Sequence, residues 1–274
     1  LFKANYTFKD KAIYGYWFEV IIGGVQYVYH NNADPIYWTQ EKGSGGLGQV
    51  IPAPDQERRL RRFRVTVYDP AFKVPEWAQD AIYYFIFPER YRNGNPDNDP
   101  KVGARKYQSH NIEVHKSWLD KPYKPGTGDG SDPHYNNDFF GGDLEGIIQK
   151  LDDIKDLGAN AIYMTPVFKA ASNHKYDTAD FHEIDPAFGT NADFTRLTQE
   201  AAKRGIRVIP DASLNHVGAD SKYFDRFGNF KSEGLGAFAD NRIQTNSPYA
   251  SWFTLDATQT DPDKQFKGWV GVAD

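Results

Sequence analysis

Hydrophobic and polar positions change rhythm once along the chain, near residue 75. Before it, Tyr14 to Ile22, Val25 to Tyr29 and Phe63 to Tyr68 are short runs of β-branched and aromatic residues, the first two separated by Gly23-Gly24. Such runs predict strands joined by tight turns. A sandwich of the immunoglobulin type takes about seven strands in about 100 residues, and roughly four are expected here. Residues 1–70 are therefore predicted to form an all-β domain, a β-sandwich that is incomplete. Asp69-Pro70-Ala71-Phe72-Lys73-Val74-Pro75 carries two prolines, which do not suit a central strand and do suit a linker.

After the linker the period lengthens. Ala81 to Phe87 is a nearly continuous apolar run, the pattern of a strand buried on both faces. A polar stretch rich in Gly, Asp and Asn follows to about residue 140. Within Asp143 to Leu157 the apolar residues Ile147, Leu151, Ile154 and Leu157 recur at helical spacing, with Gly158 as a C-terminal stop. Ala161 to Thr165 reads as a second buried strand closed by Pro166, followed by a loop to Asn191. Phe194, Leu197 and Ala201 mark a second helix ended by Gly205, and Ile206 to Ile209 a third strand. Strands alternating with helices predict a parallel sheet with helical crossovers, either doubly wound or a (β/α)8 barrel. Long polar loops after the strands favour the barrel, and no glycine-rich phosphate fingerprint follows any strand. Residues 76–274 are accordingly predicted to be α/β, the first three β/α units of a (β/α)8 TIM barrel.

Composition narrows the partners. The 274 residues carry a net charge of −5 and no cysteine, which argues against nucleic acid or an anionic membrane as partner and excludes disulfides and thiol chemistry. No stretch approaches the roughly 18 apolar residues of a membrane span. The compartment is left open, with a lean to secretion. Arg58-Arg59-Leu60-Arg61-Arg62-Phe63-Arg64 is the one basic run and reads as a solvated face; Gly43-Ser44-Gly45-Gly46-Leu47-Gly48 reads as a loop. Aromatic residues make up 15%, which fits either a core of aromatic strands or rings set to stack on sugars.

Three polar clusters follow the three strands of the α/β part. Asn93-Gly94-Asn95-Pro96-Asp97-Asn98-Asp99 offers five amide or carboxylate side chains in seven residues, either an ordinary Asn/Gly turn or a loop of oxygen ligands for a hard cation such as calcium. His174-Lys175-Tyr176-Asp177-Thr178-Ala179-Asp180 and Asp211-Ala212-Ser213-Leu214-Asn215-His216 are the others. Polar groups just past buried strands must be paired or used, and three such clusters at one end of three strands point to a site.

These clusters, with Pro75-Glu76-Trp77, Ala81-Ile82-Tyr83-Tyr84-Phe85-Ile86-Phe87-Pro88-Glu89-Arg90-Tyr91 and Phe140-Gly141-Gly142-Asp143-Leu144-Glu145-Gly146, strongly resemble the alpha-amylase family of glycoside hydrolases. The nearest likeness is to its neopullulanase, cyclomaltodextrinase and pullulan-hydrolysing amylase branch, over about residues 65–230. The resemblance implies a structural calcium site from Asn93, Asn95, Asn98, Asp99, the carbonyl of Gly141 and the carboxylate of Asp143, with Asn215 at a position that helps bind calcium in many members. It implies that Tyr176 stacks under the sugar whose bond is cut, that His216 binds its hydroxyls, that His174 lines the substrate, and that Asp177 and Asp211 hold the site in shape. Phe85, Glu89 and Ala212-Ser213 depart from the family's usual glutamine, aspartate and valine pair; none removes a sugar-binding group.

The implied activity is retaining cleavage of α-1,4, and in some members α-1,6, glucosidic bonds of starch, pullulan or maltodextrins. The other reading is a carbohydrate-binding relative that has lost hydrolysis. Retention needs a nucleophile and an acid about 5 Å apart, which the family carries on strands four and five. No Gly-Phe-Arg-Leu-Asp or Gly-Trp-Arg-Leu-Asp motif occurs, so no catalytic residue is expected in this chain and both carboxylates are expected beyond Asp274. Implied partners are an α-glucan, the remainder of the barrel as a continuation or second polypeptide, and a homodimer or glucan contact made by the N-terminal domain. The chain is expected to be a fragment truncated at both ends.

Overall fold

The computed structural model describes residues 3–31, 47–57 and 60–268. The chain divides into two compact units, Leu1–Gln79 and Asp80–Asp274. The glycine-rich segment at 43–46 and the start of the basic run at 58–59 lie outside the described residues.

In the first unit, β1 (Ala12–Tyr16), β2 (Phe18–Ile22), β3 (Val25–Asn31), β4 (Gly48–Pro52) and β5 (Phe63–Val67) make two antiparallel sheets among the described residues, β1-β5 and β2-β3-β4. The single strand expected from Tyr14 to Ile22 is broken at Trp17. Its first half pairs with β5, Tyr16 opposite Phe63, and its second half with β3, Phe18 opposite Tyr29. β2 and β3 are joined by two residues, Gly23 and Gly24, at φ 59° and 82°, the left-handed pair that a two-residue hairpin needs and glycine adopts without strain. Tyr16, Phe18, Tyr29 and Phe63 meet ring to ring at 5.5–6.1 Å, so aromatic content here goes into packing between neighbouring strands.

The second unit begins with β6 (Tyr83–Ile86) and a long segment holding the two-residue strands β7 (Lys106–Tyr107), β8 (His110–Asn111), β9 (Glu113–Val114) and β10 (Asp138–Phe139). Then come α1 (Leu144–Gln149), α2 (Leu151–Asp156), β11 (Ala161–Met164), β12 (Phe168–Ala170), β13 (Thr178–Ile184), α3 (Asn191–Lys203) and β14 (Arg207–Pro210). Strands β6, β11 and β14 form a parallel sheet with β11 in the middle, so strands consecutive in the β-helix-β alternation are neighbours in space.

The helices cover one face of that sheet. Ile86, Ile162, Met164 and Val208 meet Leu144, Ile147, Leu151, Ile154, Leu197, Ala201 and Ile206 in one apolar cluster. α3 is opened by a capping box in which Thr190 and Asp193 each satisfy the other's backbone N–H. The helix expected over Asp143–Leu157 is instead two short helices divided at Lys150, at φ −111° and ψ 7°. Ile147, Leu151 and Ile154 are buried as the spacing predicts, but Leu157, at the C-terminal end of α2, is 70% exposed.

β6 also differs from expectation. Only Ile86 of the four residues is buried; Tyr83 and Phe85 are 64% and 50% exposed, because β6 is an edge of the sheet and those two side chains point away from the helices. Finally, residues 168–184, expected as loop, contain the antiparallel pair β12–β13 with register shifts.

Candidate functional site

The ends of the parallel strands bring the second and third clusters together. Asp211 directly follows β14, its backbone N–H donating to Met164 at the end of β11 at 2.9 Å. The hydroxyl of Tyr176 donates to Asp211 Oδ2 at 2.9 Å, and the hydroxyl of Tyr163, on β11, donates to the same oxygen at 2.9 Å. Ala212 N–H donates to Oδ1 at 2.8 Å. Burial by itself would raise the Asp211 carboxyl; these three donors outweigh it and hold the group below its ordinary value. The phenol of Tyr176 is pushed the other way, well above its usual value, by burial and by the Asp211 carboxylate.

Tyr176 belongs to a tight turn built around Ser172. Its N–H donates to His174 Nδ1 at 3.0 Å, and the Ser172 hydroxyl lies 3.2 Å from the same ring nitrogen. Asp177 accepts from Ser172 N–H at 3.1 Å and from the Ser172 hydroxyl. The rings of His174 and Tyr176 are 5.8 Å apart. Gly218 passes so close to Asp177 that a Cβ there would collide with its carbonyl, which draws the chain after β14 onto the turn. His216 Nδ1 lies 2.8 Å from Asn215 Oδ1 on the same stretch. The structure thus joins Tyr176 with Asp211, and His174 with Asp177 through Ser172; Asn215 pairs with His216.

A second network holds the turn from behind. Asp138 Oδ1 accepts from Arg90 and from Asn173 at 3.0 Å each, and its Oδ2 lies 3.1 Å from His115 Nε2. His115 stacks on Phe140 at 4.0 Å, and Arg90 lies over the same ring, 4.6 Å from its centre. Glu89, buried, accepts from the N–H groups of Phe140 and Gly141 and pairs with Arg90. None of Tyr163, Ser172, His115, Asp138 and Asn173 stood out in the sequence. A tyrosine inside an apolar strand reads as core, and the other partners meet only through the fold.

The first cluster is a compact loop against the start of α1. Asp143 is fully buried and accepts from Gly94 N–H at 3.0 Å, Asn95 N–H at 2.8 Å and Gly146 N–H at 2.6 Å, the last as N-cap of α1. Burial raises its carboxyl in spite of these bonds; Asp99 is also raised, by burial first, with Asn93 opposing and Asp143 adding. Asn93 Nδ2 donates to Asp99 Oδ1 at 2.6 Å. Gly141, at φ 85°, lies so close to this pair that a Cβ would strike Asp99 Oδ1 and Asn93 Nδ2. Asn93 Oδ1 and Asn98 Oδ1 are buried without a hydrogen-bond partner. Among the described residues no group of three or more His, Cys, Asp or Glu is arranged to hold a metal. A cation here would draw on amide and carbonyl oxygens together with the two carboxylates of Asp99 and Asp143, the ligands that hard cations take, and the two unsatisfied amide oxygens fit that demand.

The family described as "Alpha amylase, catalytic domain" matches residues 85–269. An amylopullulanase of Thermoanaerobacterium saccharolyticum is 40% identical over 245 residues, 86% of this chain and 18% of that protein. A cyclomaltodextrinase of Thermoanaerobacter pseudethanolicus is 38% identical over 213 residues, 69% of this chain and 33% of its own length. Among solved structures, the type III pullulan hydrolase from Thermococcus kodakarensis superposes with a TM-score of 0.57 at 28% identity, covering 91% of this chain and 38% of that one. The chain spans well under half of each relative. With a family match over most of its length and identity near 40% to such relatives, the chain belongs to the alpha-amylase family of glycoside hydrolases.

Proposed function

We propose that this chain forms part of a retaining α-glucan hydrolase of the amylase and pullulanase type, cleaving α-1,4 glucosidic bonds in starch, pullulan or maltodextrins, with α-1,6 cleavage as a second activity to be tested. In this reading Asp80 onward contributes the first three β/α units of a (β/α)8 barrel, and the first unit is a β-sandwich domain. The observation that carries it is the Tyr176–Asp211–Tyr163 cluster just past the ends of parallel strands, the end at which barrel enzymes place their sites. Strand order following chain order, with no reversal, supports a barrel wall.

The residues then divide the work. The Tyr176 ring provides the apolar face on which a pyranose stacks, and Asp211 fixes that ring through its hydroxyl. His216 hydrogen-bonds the sugar hydroxyls, His174 lines the approach, and Asp177 locks the turn through Ser172. A calcium ion, if held by Asn93, Asn95, Asn98, Asp99, the Gly141 carbonyl and Asp143, would supply a fixed positive centre fastening the loop after β6 to the start of α1. Nucleophile and acid come from residues outside this sequence, brought to about 5 Å of one another across the bond.

The test is hydrolysis of pullulan and maltooligosaccharides by the whole protein as its gene encodes it. Tyr176→Ala and His216→Ala are each expected to lower turnover at least tenfold with the fold intact. Near-normal rates would place both residues away from the sugar. Glucan binding by the unaltered protein without release of reducing ends would favour the non-hydrolytic reading.

A further inference from the structure

Lys175 stands between two residues of the candidate site and points the opposite way. Its side chain is fully buried, and its backbone has φ 63°, a conformation that glycine takes freely and other residues rarely. A buried ammonium needs partners, and this one is caged. Nζ lies 2.9 Å from Asp185 Oδ2 and donates to the Ala170 carbonyl at 3.2 Å. The rings of Phe139 and Phe188 flank it at 5.2 and 5.1 Å.

Asp185 is a junction. Arg105 grips it with two parallel bonds of 2.8 and 2.7 Å, and its carboxylate also accepts from Ala170 N–H at 3.1 Å and Ala187 N–H at 2.9 Å. Burial alone would raise this carboxyl, yet Arg105 and Lys175 hold it well below the usual range. Through Asp185 the end of β12, the segment before α3, the turn at Arg105 and the turn at Lys175 share one anchor.

We propose that Lys175 is a positioning residue whose ammonium, clamped by Asp185, pins the 172–178 turn so that Tyr176 and Asp177 face the sugar. The proposal rests on the reading of Tyr176 as the residue under the reacting sugar. Geometry gives the lysine its leverage. Its N–H donates to Ser172 Oγ at 3.0 Å, and that same hydroxyl holds Asp177 and touches His174. With the long side chain fixed inward and the backbone left-handed, the next residue is turned outward, where the Tyr176 hydroxyl meets Asp211 at 2.9 Å. Glycine would accept the backbone angle but bring no anchor. Methionine would keep the bulk and lose the ion pair, leaving Asp185 to Arg105.

The experiment is a double-mutant cycle in the whole protein, with kcat and KM for maltotriose measured in Lys175→Gly, Lys175→Met, Tyr176→Ala and each pair. Folding is checked by near-ultraviolet circular dichroism. Each Lys175 variant is expected to lose at least tenfold in kcat with KM changed less than threefold. On either Lys175 background Tyr176→Ala should cost at least fivefold less than it does alone, because the ring has already lost its place. Additive losses, or a Lys175 variant with unaltered kcat, would overturn the proposal; so would failure of both Lys175 variants to fold, which would make the residue a general core support. A Tyr176→Ala protein with full activity would instead overturn the reading of Tyr176, and the cycle tells the two failures apart.

Discussion

A carboxylate oxygen that accepts two phenolic hydrogens does so more strongly when ionised, and Asp211 Oδ2 takes both Tyr163 and Tyr176 at 2.9 Å. Because the folded value lies below that of free aspartate, the stability it contributes is complete above the unfolded value. It is lost as pH falls through the folded one. Tyr163→Phe removes one donor and keeps the ring. It is expected to cost about 1 kcal/mol near neutral pH. Thermal melts at descending pH should show the gap between the two proteins closing as the pH falls below the ordinary aspartate range and Asp211 is protonated in both. A gap independent of pH would assign the loss to ring packing. At this scale the motifs made Tyr176, Asp177 and Asp211 legible as candidates, and the structure joins Tyr176 to Asp211; the role given to His216 is for its variant to test. Tyr163 was not, since only the alignment of β11 beside β14 turns its hydroxyl toward Asp211. Lys175 was hidden by its setting, a lysine in a polar run whose counter-ion Asp185, itself gripped by Arg105, lies elsewhere in the sequence.

Between elements, the decisive joint is that of the 93–99 loop with α1. Asp143 caps the helix and at the same time binds two N–H groups of the loop. The two backbones approach so closely that a Cβ on Gly94 would collide with the N–H of Gly146, and one on Gly146 with the carbonyl of Arg92. Asp143→Ala should therefore cost about 3 kcal/mol or more, a lost cap plus buried donors left unpaired, read as a lower denaturant midpoint at constant m-value. If calcium completes the joint, a chelator should lower the Tm and added calcium restore it. A melt indifferent to both would leave the loop held by hydrogen bonds alone. The helical periodicity of residues 143–157 located α1 and α2 correctly but not the break at Lys150, since apolar spacing constrains which face is buried and says little about local backbone angles. The β12–β13 pair escaped for a related reason. Asp180 sits within the strand, and its carboxylate is paired with Lys222 and accepts from the Tyr223 hydroxyl at 3.3 Å, so a buried polar network stands where alternation would have shown a strand.

Across the second unit as a whole, the parallel sheet has one face closed and one face open. The pairing register places Tyr83 and Phe85 of β6, Tyr163 of β11 and Ile209 of β14 on the side opposite the helices. Tyr83, Phe85 and Ile209 are 64%, 50% and 37% exposed, while Tyr163 meets Tyr83 edge-on at 6.2 Å and Phe85 at a tilt at 5.5 Å. The alternation of strands and helices in the sequence made this layout legible, but an apolar run such as Ala81 to Phe87 looks the same whether one face or both are covered. Exposed apolar area of this kind, flanked by the edge strands β6 and β14, drives association in water. A polypeptide of residues 1–274 alone is thus expected to bind the dye ANS and to sediment as species that grow with concentration. Phe85→Glu, which sets a charge in the middle of the open face, should reduce both signals without lowering the Tm, because that side chain contributes nothing to the helix-side core. A dye-free monomer would mean that this face is covered by another route. Loss of the melt in Phe85→Glu would mean that the aromatic cluster with Tyr163 supports the fold itself, and the open face would then be a second core rather than a surface awaiting a partner.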